Sequence, residues 1–287
     1  MKEFFKKLIR LILCLPVICV VLVLVSIADN NHFFGQLPGD EVYYALDLSE
    51  KNSGYKKVVL GDSVAKQLFV PGKAYKNEYY SLTTNRVIGL AGQYLLLKNY
   101  LQNNPQTEEV VIMLLPSSVQ QDFNDKLTYS YFVLPFFQYY QYFMTEDSVK
   151  TIQKNYGKFS NDGVLFMMER SAMLRNLYQT YVMDVSKQEN SGAWKAYMNE
   201  IEDMCSEKGI KVKWYSSPLA NNSEGKKKSE TLSANCGENE KKLLSDSYFD
   251  SIRYYDEKNM RDGIHFYDDY LKKNRDNIIK NIFGEDL

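Results

Sequence analysis

The sequence predicts an α/β protein built on a parallel sheet covered on both faces, and two observations carry that expectation. Two short apolar runs, Val58-Val59-Leu60 and Val110 to Leu115, and the strand-like segment Ile210 to Tyr215 are each followed by small residues or proline. Segments of helical character lie between them, and strands that alternate with helices pair in parallel with helices above and below. With 45% hydrophobic and 25% charged residues, the 287-residue chain fits one large folded domain or two small ones.

At the N-terminus, Leu11 to Ala28 contains 18 consecutive uncharged residues, preceded by Lys2, Lys6, Lys7 and Arg10 and followed by Asp29. At about 1.5 Å rise per residue this stretch nearly crosses a hydrocarbon core of about 30 Å, with Leu8 and Ile9 completing the span while Arg10 snorkels. Residues 1–28 therefore read as a cytoplasmic tip and single-pass anchor in the cell membrane. The basic flank keeps the N-terminus cytoplasmic and places the rest outside. A cleaved signal peptide is the rival reading, because Ser26 and Ala28 suit its small-residue positions. Both readings export the domain.

Residues 29–55, polar and containing His32, read as a stalk, and residues 56–287 as the extracytoplasmic domain. Lys56 to Leu60 predicts a strand that ends at Gly61-Asp62-Ser63, with a helix from Val64 to Phe69. Leu82 starts an extended piece, Asn85 to Gly92 is turn-rich, and Tyr94 to Leu101 predicts a helix. Val110 to Leu115 is a buried-strand pattern broken by Pro116. A helix from Ala193 to Lys208, stopped by Gly209, leads into the strand Ile210 to Tyr215.

Two stretches interrupt this rhythm. Tyr129 to Phe143 holds nine aromatic residues in fifteen positions, which suits either core or lid packing or rings placed at a membrane interface. Asn221 to Lys242, with Lys226-Lys227-Lys228, reads as a solvated loop, and Asn221-Asn222-Ser223 matches a glycosylation sequon.

Net charge is −1, from 35 basic and 36 acidic residues, so no overall positive field gathers nucleic acid. Cys14 and Cys19 fall in the anchor. Cys205 and Cys236 either close a disulfide or stay free, and they have neither metal-site nor C-x-x-C spacing. No metal or cofactor is expected.

The chemistry concentrates in two places. Ser63 follows an apolar strand, so its hydroxyl is expected at the carboxyl edge of the sheet, where open α/β folds bind ligands. Its surroundings are not the G-x-S-x-G elbow. Near the other end, Asp262-Gly263-Ile264-His265 has a D-x-x-H spacing. Residues three apart in a helical turn or tight loop share a face, so the carboxylate can orient the imidazole while the far ring nitrogen faces a serine. The chain has only two histidines; His32, which also follows an aspartate by three, lies beside the expected membrane segment and reads as stalk, which leaves His265 as the histidine of the exported domain with such a partner.

Gly61-Asp62-Ser63, Asn85-Arg86-Val87-Ile88-Gly89 and Asp262-x-x-His265 resemble blocks one, two and five of the SGNH (GDSL) hydrolase superfamily, over about residues 56 to 270. The resemblance implies an α/β/α sandwich with a five-stranded parallel sheet, with Ser63 as nucleophile, His265 as base and Asp262 as its orienter. It also implies an oxyanion hole formed by the Ser63 and Gly89 amides. Asp62, Asn85 and Ser117 are candidate substrate contacts. Block three departs from the family: Pro116-Ser117-Ser118-Val119 stands where G-x-N-D is usual. Either a serine hydroxyl substitutes, the hole has two donors, or the fold is kept without full activity.

Together with the anchor, that departure makes the chain similar to exported SGNH-like acyltransferases of the alginate O-acetylation and teichoic acid D-alanyl transfer type. The similarity implies transfer of an acyl group, such as acetyl, through a serine acyl-enzyme onto an extracytoplasmic polysaccharide. It also implies a membrane-bound O-acyltransferase as partner. A carbohydrate esterase and a non-catalytic glycan-binding subunit are the alternatives.

Overall fold

The computed structural model describes residues 2–30, 40–123, 125–133, 141–156 and 192–284. Its elements in chain order begin with helices α1 (Lys2–Asn30) and α2 (Asp40–Ser49), strand β1 (Lys57–Gly61) and helix α3 (Ser63–Leu68). Strands β2 (Ala74–Tyr75) and β3 (Tyr79–Ser81), helix α4 (Gly89–Asn103), strand β4 (Glu109–Leu114) and helix α5 (Pro116–Val119) follow. Next come helices α6 (Lys126–Thr128), α7 (Glu146–Tyr156) and α8 (Ala193–Glu207), then strands β5 (Lys211–Ser216) and β6 (Leu219–Ala220). Helices α9 (Ser223–Asn235) and α10 (Glu238–Asp250), strand β7 (Tyr254–Tyr255) and helix α11 (Asp268–Phe283) complete the series.

Five strands form one sheet in the order β2-β3-β1-β4-β5, parallel except for the antiparallel edge strand β2. Successive side chains of a strand point to opposite faces, and the burial follows that period. Val58 and Leu60 of β1 pack with Val110, Ile112 and Leu114 of β4 against α2, α4 and α8. Val59, Val111 and Met113 face the other way, onto Ala65 and Leu68 of α3 and Ile278, Ile279, Ile282 and Phe283 of α11. Burial on both faces is why these strands are continuous apolar runs and so could be read from sequence.

From β1 the chain moves outward to β3 and then returns to the other side of β1 to form β4. The carboxyl ends of β1 and β4 thus flank the point where strand order reverses, the usual ligand crevice of an open α/β sheet. Gly61 closes β1 beside Met113 of β4. A Cβ there would lie 2.4 Å from the Ala65 Cβ and 2.5 Å from the Met113 carbonyl oxygen, so only glycine lets the strand turn directly into α3.

Several expectations need correction. Residues 40–49, placed in the stalk, form α2, whose Val42, Ala45, Leu46 and Leu48 are buried in the core; His32 lies outside the described residues. Most of the polar run 221–242 is helical. Asn222 caps α9 by accepting the Gly225 N–H at 2.8 Å, and Glu240 reaches back to the Gly237 N–H at 2.7 Å at the start of α10. Leu232 is the one buried large apolar residue of α9, too little periodicity to reveal a helix. Cys205 and Cys236 are free and buried, and burial pushes the Cys205 thiol up to about 12. In the aromatic stretch Tyr131 and Phe132 are core residues, Tyr142 is exposed, and residues 134–140 lie outside the described set.

Helix α1 exposes Ile12, Leu13, Leu15, Val17, Ile18, Val20 and Val21. Its side chains are described without interruption only over residues 12–21, and among the described residues no helix is long and apolar enough to cross a membrane. The fold therefore does not establish the span expected over residues 11–28.

Replacing Gly61 with alanine forces Cβ against a backbone carbonyl that cannot swing away. Gly61→Ala is expected to cost about 1–3 kcal/mol or more of folding stability, read as a lowered denaturation midpoint by circular dichroism.

Candidate active site

Ser63 occupies the first position of α3, directly after the cap residue Asp62. The Asp62 side chain is fully buried, and its carboxylate accepts four hydrogen bonds. Oδ1 takes the N–H groups of Val64 and Ala65 at 3.0 and 3.2 Å and the Ser217 hydroxyl at 3.1 Å; Oδ2 takes the Leu115 N–H at 2.7 Å. These donors come from α3, from the end of β4 and from the residue after β5. Asp62, expected to touch substrate, is instead enclosed and saturated, and it fixes the turn that carries Ser63. Two of the first N–H groups of α3 go to this carboxylate; the Ser63 N–H takes no acceptor among the described residues, as helix geometry allows for a first position.

The second half of the site is the loop before α11. An antiparallel bridge between Met260 and Phe266, with the Arg261 N–H donating to the His265 carbonyl at 2.7 Å, folds this loop back on itself. Asp262 Oδ1 accepts the N–H groups of Ile264 and His265 at 3.1 and 2.8 Å, which makes the D-x-x-H spacing a closed turn. Its Oδ2 lies 2.8 Å from His265 Nδ1, and His265 Nε2 lies 2.8 Å from Ser63 Oγ. The structure thus brings Ser63, His265 and Asp262 into one continuous line.

An ionised carboxylate can only accept, so it selects the His265 tautomer with the proton on Nδ1 and leaves Nε2 to accept the Ser63 hydroxyl. Burial opposes charge on Asp262. The hydrogen bonds from the His265 backbone N–H and ring outweigh it and hold the carboxyl below its ordinary value of 3.8. Asp262 is 47% exposed and His265 22%, so the relay opens to solvent at its outer end.

Sequence reasoning missed the residue that joins the two halves. Gln67 lies one turn after Ser63 on the same helix, and positions four apart share a helix face. Its Nε2 donates to the Phe266 carbonyl at 3.1 Å and its Oε1 accepts the Phe266 N–H at 3.0 Å. This reciprocal pair clamps the backbone next to His265 onto α3. The only signal for it was a polar residue at the i+4 position.

The other expected contacts divide. Asn85 caps a 3₁₀ turn over Arg86–Ile88 by accepting the Val87 N–H at 3.3 Å, and its Nδ2 is 3.5 Å from Glu41 Oε2. Gly89 ends that turn with φ +54°, and its N–H donates to the Arg86 carbonyl, so the amide expected in the oxyanion hole is already engaged. A Cβ at Gly89 would also meet the Gln121 carbonyl oxygen at 2.9 Å, which restricts the position to glycine. Ser117 follows β4 in the first turn of α5, and its buried hydroxyl has no partner among the described residues. Gln93 of α4, also unforeseen, donates to the Gly61 carbonyl at 3.2 Å.

No protein-family model matches the chain, and no curated protein or solved structure matches it.

Gln67→Ala should leave folding nearly intact while the His265 loop loses its register. Because a misplacement of about 1 Å can cost about 10² in rate, any Ser63-dependent acylation is expected to slow by roughly that factor, measured as the rate of adduct formation by mass spectrometry. The native Asp262 carboxyl binds its proton less readily than the unfolded chain's. Its stabilising effect is therefore present above the unfolded value and is lost as pH falls through the folded one. The stability difference between wild type and Asp262→Asn should narrow between about pH 5 and pH 3 in denaturant titrations, by a modest amount because the group is half exposed.

Proposed function

We propose that the protein is a serine acyltransferase that moves an acyl group, such as acetyl, through a Ser63 acyl-enzyme onto an extracytoplasmic glycan. The observation that carries this reading is the line Ser63 Oγ, His265 Nε2, His265 Nδ1, Asp262 Oδ2, with both contacts at 2.8 Å. As Ser63 Oγ attacks an acyl carbonyl, His265 takes its proton and Asp262 stabilises the imidazolium. When the tetrahedral intermediate collapses, His265 returns that proton to the leaving alcohol. An acceptor hydroxyl then attacks the acyl-enzyme, gives its proton to His265, and leaves Ser63 free with the proton restored.

The tetrahedral oxyanion needs donors aimed at the position where charge develops. The Ser63 N–H is uncommitted among the described residues, and the Ser117 hydroxyl is a buried donor without a partner. These two support a hole that does not draw on the Gly89 amide. A superfamily resemblance of the SGNH kind agrees with such a relay at the carboxyl edge of a mostly parallel sheet.

The acceptor and compartment rest on the N-terminal sequence. In this reading α1 anchors the chain in the cell membrane with residues from about 30 onward outside, and a membrane-bound O-acyltransferase supplies the acyl group from the cytoplasmic side. A second reading, a carbohydrate esterase, is favoured by the exposure of Asp262 and His265, since water has access to the outer end of the relay.

The test is intact mass after exposure to an activated acetyl ester. Wild type is expected to gain one acetyl group on Ser63, and neither Ser63→Ala nor His265→Ala should gain any. Asp262→Asn, which no longer selects the Nδ1-protonated tautomer of His265, should slow acylation by about 10⁴. Ester turnover without a lasting adduct would point to the esterase. Absence of any Ser63-dependent reaction would overturn the catalytic reading and leave a non-catalytic glycan-binding subunit.

A further inference from the structure

A third apolar cluster lies apart from the two that cover the faces of the sheet. Val64, Leu115 and Leu219 are buried together, and Ile252 and Ile264 pack against them half-buried. Four of these residues are chain neighbours of the relay or of its bracket. Val64 follows Ser63, and Ile264 precedes His265. Leu115 gives its N–H to Asp62 and stands two residues before Ser117; Leu219 stands two residues after Ser217, whose hydroxyl also bonds Asp62. The cluster therefore lies at the carboxyl edge of the sheet, beside the Ser63 to His265 contact.

The two half-buried isoleucines are carried by fixed backbone. The Ile252 N–H donates to the Phe249 carbonyl at 3.2 Å where α10 ends, and the carbonyl of the next residue, Arg253, accepts the Leu219 N–H at 3.0 Å as β6 pairs with β7. The Ile264 N–H donates to Asp262 Oδ1 at 3.1 Å inside the closed turn of the His265 loop. Neither side chain can withdraw without breaking these bonds. Packing against Val64, Leu115 and Leu219 covers only part of each, and the remainder is apolar surface that a ligand's alkyl group would take out of water.

The chemistry at Ser63 says what meets this wall. An acyl carbon bonded to Ser63 Oγ carries a carbonyl oxygen, which needs donors, an alcohol oxygen, which exchanges its proton with His265 Nε2, and the acyl substituent. Only the substituent has no polar demand. We propose that the wall of Ile252 and Ile264 is the acyl-side subsite and that it selects a short uncharged acyl group, acetyl or propionyl, over an aminoacyl group such as alanyl; the assignment rests on the Ser63 acyl-enzyme reading. An ammonium on the acyl group would lose water against aliphatic side chains, which is costly without a paired carboxylate. The two carboxylates bonded to members of the wall are committed elsewhere. Asp62 is enclosed with four hydrogen bonds, and Asp262 accepts from the Ile264 and His265 N–H groups and faces His265 Nδ1. An ammonium that took Asp262 would do so at the expense of the contact that orients His265.

Propionyl and alanyl differ only by the ammonium, so they make the test pair. Binding is read apart from catalysis in the full-length Ser63→Ala protein with labelled isoleucine methyl groups, by nuclear magnetic resonance at about pH 6, where the amine is charged. Methyl propionate is expected to shift the Ile252 and Ile264 methyl signals, and alanine methyl ester at the same concentration is not. Equal shifts with both probes, or none with methyl propionate, would overturn the subsite. In the wild type, the 4-nitrophenyl esters of propionate and alanine are compared by the rate of Ser63 adduct formation, each divided by that ester's own hydrolysis in buffer. Propionyl is expected to lead by at least about tenfold, the scale set by one uncompensated charged group. Ile252→Asp places a carboxylate on the wall outside the relay and should lower that ratio by at least about tenfold. Lys227→Asp, on the exposed side of α9, should leave it unchanged. A ratio near one in the wild type, or one that Ile252→Asp does not move, would sink the subsite alone. Methyl signals that answer to propionate alone, without a Ser63 adduct from either ester, would sink the acyl-transfer reading and leave the apolar selectivity of the wall standing.

Discussion

A carboxylate removed from water must have its oxygens occupied, because an unpaired buried charge costs several kcal/mol. Asp62 meets that demand with donors from three parts of the chain: the first turn of α3, Leu115 beyond β4 and Ser217 beyond β5. One side chain thereby ties together the carboxyl ends of three adjacent strands. Ser63 is the next residue, so its hydroxyl inherits the rigidity of that junction. The absence of a side chain at Gly61 lets the junction close.

The histidine reaches this junction from a loop 202 residues further along the chain. A loop held only by the Ser63 to His265 contact would have freedom to drift. Gln67 removes it by pairing with both backbone groups of Phe266, a buried residue stacked on Tyr270 of α11. Helix α3 is accordingly more than a carrier for the serine: its first residue meets His265, its second turn clamps the loop, and its last carbonyl is capped by Arg275.

Legibility in the sequence follows the range of the interactions. The strands around Val58 and Val111 were readable because both faces of the sheet are covered there, which demands unbroken apolar runs, whereas the edge strand before Ser217 showed itself by Val212, Trp214 and Tyr215 among lysines. The Asp262 to His265 contact was readable because it is local, a turn closed by side-chain and backbone bonds three residues apart. Helices α9 and α10 were not, since their caps are single side chains and much of their surface is solvated. The two-residue edge strand β2 was too short to leave a pattern.

Roles that depend on distant partners stayed hidden or were misassigned. Asp62 had the identity of a polar site residue, but its partners Leu115 and Ser217 lie 53 and 155 residues away, and only their convergence makes it a structural bracket. Gly89 had the required residue type, but the 3₁₀ turn before it engages its amide with Arg86. By itself the sequence determined an α/β architecture, a serine at a strand end and a paired histidine, because periodicity, turn residues and i,i+3 contacts act within a few residues. The tertiary structure alone decided that serine and histidine meet, which polar groups are enclosed and which are left with open donors, because burial and long-range hydrogen bonding are properties of the packed chain.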